Sequence, residues 1–466
     1  MNFNKTSKIL ALGAAASLSS MSVQAADKEL LDILLQNGSI NQSQYSNLLE
    51  KENISKKDVN DINAKLDKKD VNDINVKLDK KGLQFETADK EFKLKIGARL
   101  HADASFHSGD NKINGASATN GTEIRRARIY LKGVMWNDFK YISEFDFADN
   151  DVAVKDLFVT YTGLDWLDIT VGHTKQNISM ELQESSNDIM FTERSLVNTI
   201  TGAAFDRAIG LHLKSSGKDW SAQIGAYGES VGASKVKGDE GWGMSSRVTY
   251  APINTKNQVI HLGAYGGFRE TSDNNDILNA GKGTRLSYET THMSNLKLTD
   301  TGEISGSENL SIAGFEAAYM QGPFSVQGEY AYSWLSRDMA PSVDFNAFYV
   351  QTGWTLTGES RSYKGSDGEF KRLKPAKDFS LKSNGGWGAL ELAARYDQAD
   401  MTSGSVDGGS EKAVTVALNW YLNQNVRLMA DYRRAFDVDS RSGLATENAG
   451  DLEEIDTFSL RGQWAF

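Results

Sequence analysis

The sequence predicts an all-β fold: a 16-stranded antiparallel transmembrane β-barrel with a short N-terminal α-helical or coiled-coil segment. Three observations lead there. An export signal is followed by no helix able to cross a bilayer, a two-residue hydrophobic period runs from Phe92 to Phe466, and the links between alternating segments are short and long in turn.

The export signal comes first in the chain. Lys5 and Lys8 precede the apolar run Ile9 to Ala16, and Val23-Gln24-Ala25 has the small-x-small form of a cleavage site, so residues 1–25 read as a signal peptide. Its apolar core is far shorter than the roughly 20 residues a membrane-spanning helix needs, and no later run replaces it. Any membrane role therefore falls to strands. The chain has 51 basic against 62 acidic side chains, a balance of -11 that becomes more negative once Lys5 and Lys8 are removed, which argues against nucleic acid as a partner. It contains no cysteine, so an exported fold must hold itself together without disulfides. The mean hydropathy of -0.45 suits a barrel, in which lipid-facing and lumen-facing residues alternate and average to polar.

Residues 26–81 read as a periplasmic helical hairpin followed by a repeat coil. Leu30 to Leu35 lead to an Asn37-Gly38 stop, and Ser43 to Glu50 form the second arm. A direct repeat of period 12 then runs from Lys57 to Lys68 and again from Lys69 to Lys80, with Val59, Ile62, Leu66 matched by Val71, Ile74, Leu78. That narrow stripe suits helix association, or a solvated helical spacer.

Residues 82–466 form the predicted barrel. Val414, Val416, Leu418, Trp420 and Leu422 alternate with Thr415, Ala417, Asn419 and Tyr421, and Phe458, Leu460, Gly462, Trp464 and Phe466 with Ser459, Arg461 and Gln463. Short links such as Trp136-Asn137-Asp138, Gln321-Gly322-Pro323 and Asn423-Gln424-Asn425 alternate with long ones near 105–121, 176–202, 271–306 and 437–454. Short periplasmic turns and long external loops are the rule in such barrels. Sixteen strands keep both termini on the periplasmic side, with the segment around Arg285 in the fifth external loop; eighteen is the alternative count. Trp136, Trp166, Trp220, Trp387, Trp420 and Trp464 fall at periplasmic strand ends, as an interfacial girdle requires. The terminal aromatic Phe466 closes an amphipathic strand, the form in which outer-membrane insertion machinery takes up its clients.

These residues resemble the phosphate-selective porins O and P of Gram-negative outer membranes. The likeness runs from about Gly82 to Phe466 and rests on Gly82 to Phe92 leading into Gly97-Ala98-Arg99-Leu100, on Ile124-Arg125-Arg126-Ala127, on Val159 to Gly163, on Leu356 to Glu359 with Tyr363-Lys364 and Lys374-Pro375, and on Leu418 to Tyr421. The resemblance implies a homotrimer of sixteen-stranded barrels in outer-membrane lipid and lipopolysaccharide. Each pore would be narrowed by inward-folded loops and lined by basic side chains for small anions, phosphate among them. It implies no cofactor and no metal.

The basic positions matching the family's lining are Arg99 on the first strand and Arg125 and Arg126 on the second. Alternation supports part of this: with Leu94, Ile96 and Ala98 toward lipid, Lys95, Arg99 and His101 face the lumen, and with Ala127, Ile129 and Leu131 outward, Arg126, Arg128, Tyr130 and Lys132 face inward. Elsewhere the chain departs from the family. The fifth loop, where the family stacks arginines, reads Lys282 to Tyr288 and keeps only Arg285. In the third loop the family's central lysine falls on Leu182, inside the acidic run Glu181, Glu184, Asp188, and Lys175 is the nearest cation. Arg361, Lys364, Lys371, Arg372 and Lys374 are placed to line the inner mouth. Because a dehydrated phosphate needs several converging donors, the missing ladder predicts a weak phosphate site or none.

Other functions compete with this reading. A general or weakly cation-selective pore fits the negative balance, and a surface adhesin or tether fits the helical repeat. A membrane enzyme is disfavoured, since the six histidines show neither a serine-carboxylate pattern nor a His-Glu-x-x-His metal motif. Loop acids such as Glu447, Asp451 and Glu453 are placed to meet lipopolysaccharide through divalent cations.

Overall fold

The computed structural model describes residues 35–47, 74–109, 112–113, 116–231, 240–270, 284–289, 291–294, 297–382, 384–439 and 452–466. The signal peptide, most of the twelve-residue repeat, Lys282, Glu447 and Asp451 lie outside them. The chain divides into Met1–Asn75 and Val76–Phe466.

In the first unit, Gly38 (φ 73°) ends the first arm with its N–H on Leu35 O. Helix resumes at residues 42–47, where Asn41 and Gln44 cap each other through backbone N–H groups. The described end of the repeat is not helical: Ile74–Asp79 is a strand that turns at Lys80-Lys81 and pairs with the strand Gly82–Thr87. Ile74, Val76 and Leu78 also satisfy a period of two, and β-branched residues beside a Lys-Lys-Gly turn favour the hairpin over the helix.

Sixteen strands close the barrel. They are β1 Lys93–Gly109, β2 Gly121–Met135, β3 Phe139–Asp146, β4 Ala153–Leu164, β5 Leu167–Lys175, β6 Arg207–Ser216, β7 Trp220–Tyr227 and β8 Trp242–Asn254. The circuit continues with β9 Gln258–Glu270, β10 Ser307–Gln321, β11 Phe324–Arg337, β12 Ala340–Thr355, β13 Ala389–Ser403, β14 Val406–Tyr421, β15 Val426–Asp439 and β16 Leu452–Ala465. Each pairs antiparallel with its neighbour, and β16 returns to β1 from Ile455↔Gly109 to Ala465↔Arg99. Closure leaves no open edge, the condition for carrying backbone polar groups through hydrocarbon. The hydrogen-bonded sheet counts eighteen strands because the Ile74–Asp79 and Gly82–Thr87 hairpin extends it: Leu83 to Glu86 pair with Ile96 to Lys93 of β1. Both strand counts weighed from the sequence thus have a physical basis, and the ring itself has sixteen.

Side chains alternate as the period requires. Val414, Val416, Leu418, Leu428 and Leu460 stand exposed on the outside, while Thr415, Asn419, Arg427, Ser459 and Arg461 are buried within. The exposed Trp136, Trp166, Trp220, Trp354, Trp387 and Trp464 mark the periplasmic rim, and Trp242 and Trp334 the outer one. Phe466 donates its N–H to Ala98 O, accepts Tyr130 Oη at 2.6 Å, and stacks on Trp464, so the terminal residue locks the seam.

The alternation of short and long links fails between β11 and β14. Two-residue turns on the outer side, Asp338-Met339 and Gly404-Ser405, use positive φ at Met339 (57°) and Gly404 (57°), whereas the periplasmic link 356–388 is long and folds inward. The third external loop, residues 176–206, also enters the lumen, carrying α1 Met180–Gln183 and α2 Asn198–Phe205. Its Ile178, Leu182, Leu196, Ile200 and Phe205 pack on Leu310, Ile312, Leu335, Val343 and Phe345 of β10–β12, making an apolar core inside the barrel. At about 1.5–3 kcal/mol for each large side chain buried, this packing is ample to hold the loop inward.

Candidate pore lining and constriction

The lumen wall from β13 through β16 to β2 is rich in arginine, and part of it, with Arg361 of the periplasmic link, grips the third loop by its backbone. Arg361 donates to Asp188 O (3.0 Å), Arg427 to Ile189 O (2.8 Å), Asn419 to Met190 O (2.8 Å), Arg461 to Thr192 O (2.6 Å) and Arg395 to Glu193 O (3.1 Å). Asp431 and Asp397 receive the N–H groups of Thr192 (2.6 Å) and Leu196 (3.0 Å), and Glu329 those of Met180 and Glu181. A loop that enters a barrel must find partners for its backbone, and here charged wall residues supply them. Sequence reasoning missed Arg395, Arg427, Arg433, Arg461 and Arg247. All occupy polar positions of alternating strands, so a period-two count would have found them, but not their carbonyl acceptors.

The sequence-predicted cations divide by partner. Arg99 meets Ser186 Oγ at 2.7 Å and Glu144 at 3.6 Å, and Arg128 pairs with Glu144 (2.8 Å) and Asp146 (2.7 Å). Arg125 grips Glu193 through Nε at 2.9 Å and Nη2 at 3.3 Å. Alternation alone would turn Arg125 away from Arg126, yet both lie inside. The register passes from His101↔Arg126 to Ala102↔Ile124, so Arg125 is the extra residue of a β-bulge. Arg126 is 5% exposed and has no carboxylate partner among the described residues; its Nη1 meets only His101 Nδ1, at 3.4 Å, and its Nε meets nothing. His101 Nε2 in turn faces Asn187 Oδ1 at 2.9 Å.

Three predicted residues serve other ends. Lys175 donates to the carbonyls of Leu182 (2.6 Å), Gln183 and Glu184, closing the C-terminus of α1, so it is spent on the loop's own backbone. Arg285 forms a two-pronged pair with Asp300 beside the short strands Ser287–Tyr288 and Thr299–Asp300 of the fifth loop, and is neutralised there. Lys364 pairs with Asp367 at 2.8 Å. Lys374, which has no acidic partner among the described residues, lines a cavity of about 660 Å³ at the inner mouth with Arg361, Arg372, Tyr363 and Glu359. There the periplasmic link meets the third loop: Phe370 packs on Met180, and Arg372 lies 3.5 Å from Asp188 Oδ1.

Two loop carboxyls depart in opposite directions. Burial pushes Glu193 up, but Arg125, Arg126 and Arg461 outweigh it and hold the group well below the usual carboxylate range. Burial pushes Glu184 up to about 8; Arg361 opposes this, while Glu369, Glu181 and Asp188 add to it, and neither carboxyl oxygen has a hydrogen-bond partner among the described residues.

A chain of this architecture has close relatives of known type. The family model described as "Phosphate-selective porin O and P" matches residues 94–466. Porin O of Pseudomonas aeruginosa is 30% identical over 420 residues, covering 83% of this chain and 91% of that protein; an uncharacterised protein of Caulobacter vibrioides is 29% identical over 360 residues, covering 75% and 69%. Among solved structures, an anion-selective porin from Comamonas acidovorans aligns with a TM-score of 0.52 at 13% identity over 81% of this chain and all of that one. The trimer form of OmpT from Vibrio cholerae aligns with 0.51 at 12% identity over 80% and 99%. At those identities the structures support the fold alone. The closed sixteen-stranded ring, the constricted lumen and the match over most of the chain give one conclusion: the protein belongs to the phosphate-selective porin O and P family, a family of outer-membrane channels.

Proposed function

We propose that the pore passes small anions by passive diffusion with a modest preference and without a saturable phosphate site. The observation that carries this is Arg126, a buried guanidinium with no carboxylate within ion-pair distance among the described residues, beside Arg125 and Arg461. An uncompensated charge in a low-dielectric wall costs several kcal/mol and draws anions toward itself. The basic inner mouth, with Arg372 and Lys374, adds to the same field. Against strong phosphate binding stand Leu182 on the third loop, 4% exposed among apolar neighbours, and the pairing of Arg99, Arg125, Arg128 and Arg285 with acids.

Within this reading the working channel is a homotrimer. It contacts lipopolysaccharide through its outer loops and holds residues 26–81 in the periplasm once residues 1–25 are removed. The trimeric form of OmpT and the export motif support these points.

The test is Arg126→Ala in planar bilayers, with the native mass of the extracted channel checking the trimer. The reversal potential across a salt gradient should move toward cation selectivity, and Arg285→Ala should move it less. An unchanged potential in Arg126→Ala would remove this residue from the lining.

A further inference from the structure

We propose that the conducting route is lateral: it follows the wall of β1–β6, with Asp156, Arg207 and Lys214 along it, and avoids the more deeply buried wall of β8–β16. This rests on the reading of the chain as a pore and adds where within the lumen solutes travel.

Exposure of the charged side chains separates the two walls. Arg247 and Glu316 are fully buried, as are their neighbours His261 and Gly368 O by contact, and Arg395, Asp397 and Glu411 are 1–3% exposed. The upper part of β10–β12 on that side is sealed by the apolar core with α2. Arg427 and Arg461, 1% exposed, are occupied by third-loop carbonyls. A hydrated ion finds no polar group to exchange for its water there.

Across the lumen the same residue types remain wet. Arg207 is 12% exposed, and Asp156 and Lys214 are each 21%. Arg207 holds Asp156 at 2.8 Å and Asp206 at 3.1 Å near the outer end. At the inner end Lys214 (2.7 Å) and Lys364 (2.8 Å) converge on Asp367, and Lys371, 3.6 Å from Asp367, also pairs with Glu369, so three lysines face two carboxylates. A permeating anion can approach such half-hydrated cations without full dehydration, which is the requirement for passage with weak binding. The lysine cluster on Asp367 thus adds to the anion preference at the inner end of the route, and Arg207 balances the acids farther out.

The absence of cysteine makes the test direct, because each introduced thiol is the only one. Asp156→Cys and Lys214→Cys report on the lateral route, and Ser333→Cys and Thr415→Cys, on buried lumen-facing positions of β11 and β14, report on the other wall. Open channels in a planar bilayer are treated with the anionic reagent sulfonatoethyl methanethiosulfonate. Both lateral variants should lose most of their current, while Ser333→Cys and Thr415→Cys keep theirs. Loss of current at Ser333→Cys or Thr415→Cys with the lateral variants unaffected overturns the route. A wild-type protein that carries no current overturns the pore reading itself, so the two failures are distinguishable.

Discussion

Arg126 and Glu184 are both buried without a partner that cancels their charge, and they answer the imbalance differently. A guanidinium stays protonated at any ordinary pH, so Arg126 cannot shed its charge by losing a proton. A carboxyl can neutralise itself, and Glu184, raised from 4.5 to about 8, does so. The sign follows from the folded state binding the proton more tightly than the unfolded one: stability from this group is fully present below about pH 4.5 and is lost as pH rises toward about 8. We expect the thermal midpoint of the wild-type channel to fall across that window relative to Glu184→Gln, which stays neutral. Parallel curves from pH 5 to pH 8 would contradict the assignment. Residue by residue, the sequence placed Arg99, Arg126 and Arg128 inside by alternation. Alternation could not place Arg125, which the family resemblance alone put in the lining, because a bulge is a property of two paired strands and leaves no mark in one of them.

The third loop is held in large part by its carbonyls, and that explains why its seat was not legible in the sequence. Acceptors at Asp188, Ile189, Met190, Thr192 and Glu193 are main-chain atoms, so the segment 188–193 carries no side-chain pattern announcing which wall it will meet. Its apolar residues were visible in the sequence, but a loop buried inside a barrel looks like any loop with a small core. Arg461 is the most committed member, pairing with Asp103 at 2.6 Å and Glu193 at 3.2 Å while it holds Thr192 O. Arg461→Ala should lower stability by roughly 3–5 kcal/mol, since it strands Asp103 and leaves Glu193 to Arg125 alone, and the single-channel current should become noisier as the loop loosens. Arg461→Lys should restore little, because one ammonium cannot reproduce the planar fork. A quiet current and unchanged denaturation in Arg461→Ala would count against the clamp. Strands were legible for a different reason: β14 and β16 each bury one face and show lipid the other, and a two-residue period records that at every position. The short outer turns at Asp338-Met339 and Gly404-Ser405 broke the length rule, which is a statistical habit of loops with no physical necessity behind it.

At the scale of the molecule, a chain of net charge -11 makes an anion-preferring pore only because of where its charges lie. Most lumen acids are matched by an arginine, as in Arg247–Glu316, Arg433–Glu411 and Arg128–Asp146, so the field along the route is set by the few cations left over. Arg126, Lys374 and the lysines around Asp367 are among those cations, together with Lys95 and Lys132 over the Tyr130 ring. Their influence extends only about 8–10 Å at ordinary salt, which makes the preference dependent on ionic strength. The most direct test is the reversal potential of the wild-type channel across a salt gradient, taken at low and high ionic strength and with added phosphate. The account predicts a modest anion preference at low salt that shrinks as salt rises, with no saturable block by phosphate. Cation selectivity at low salt would contradict it.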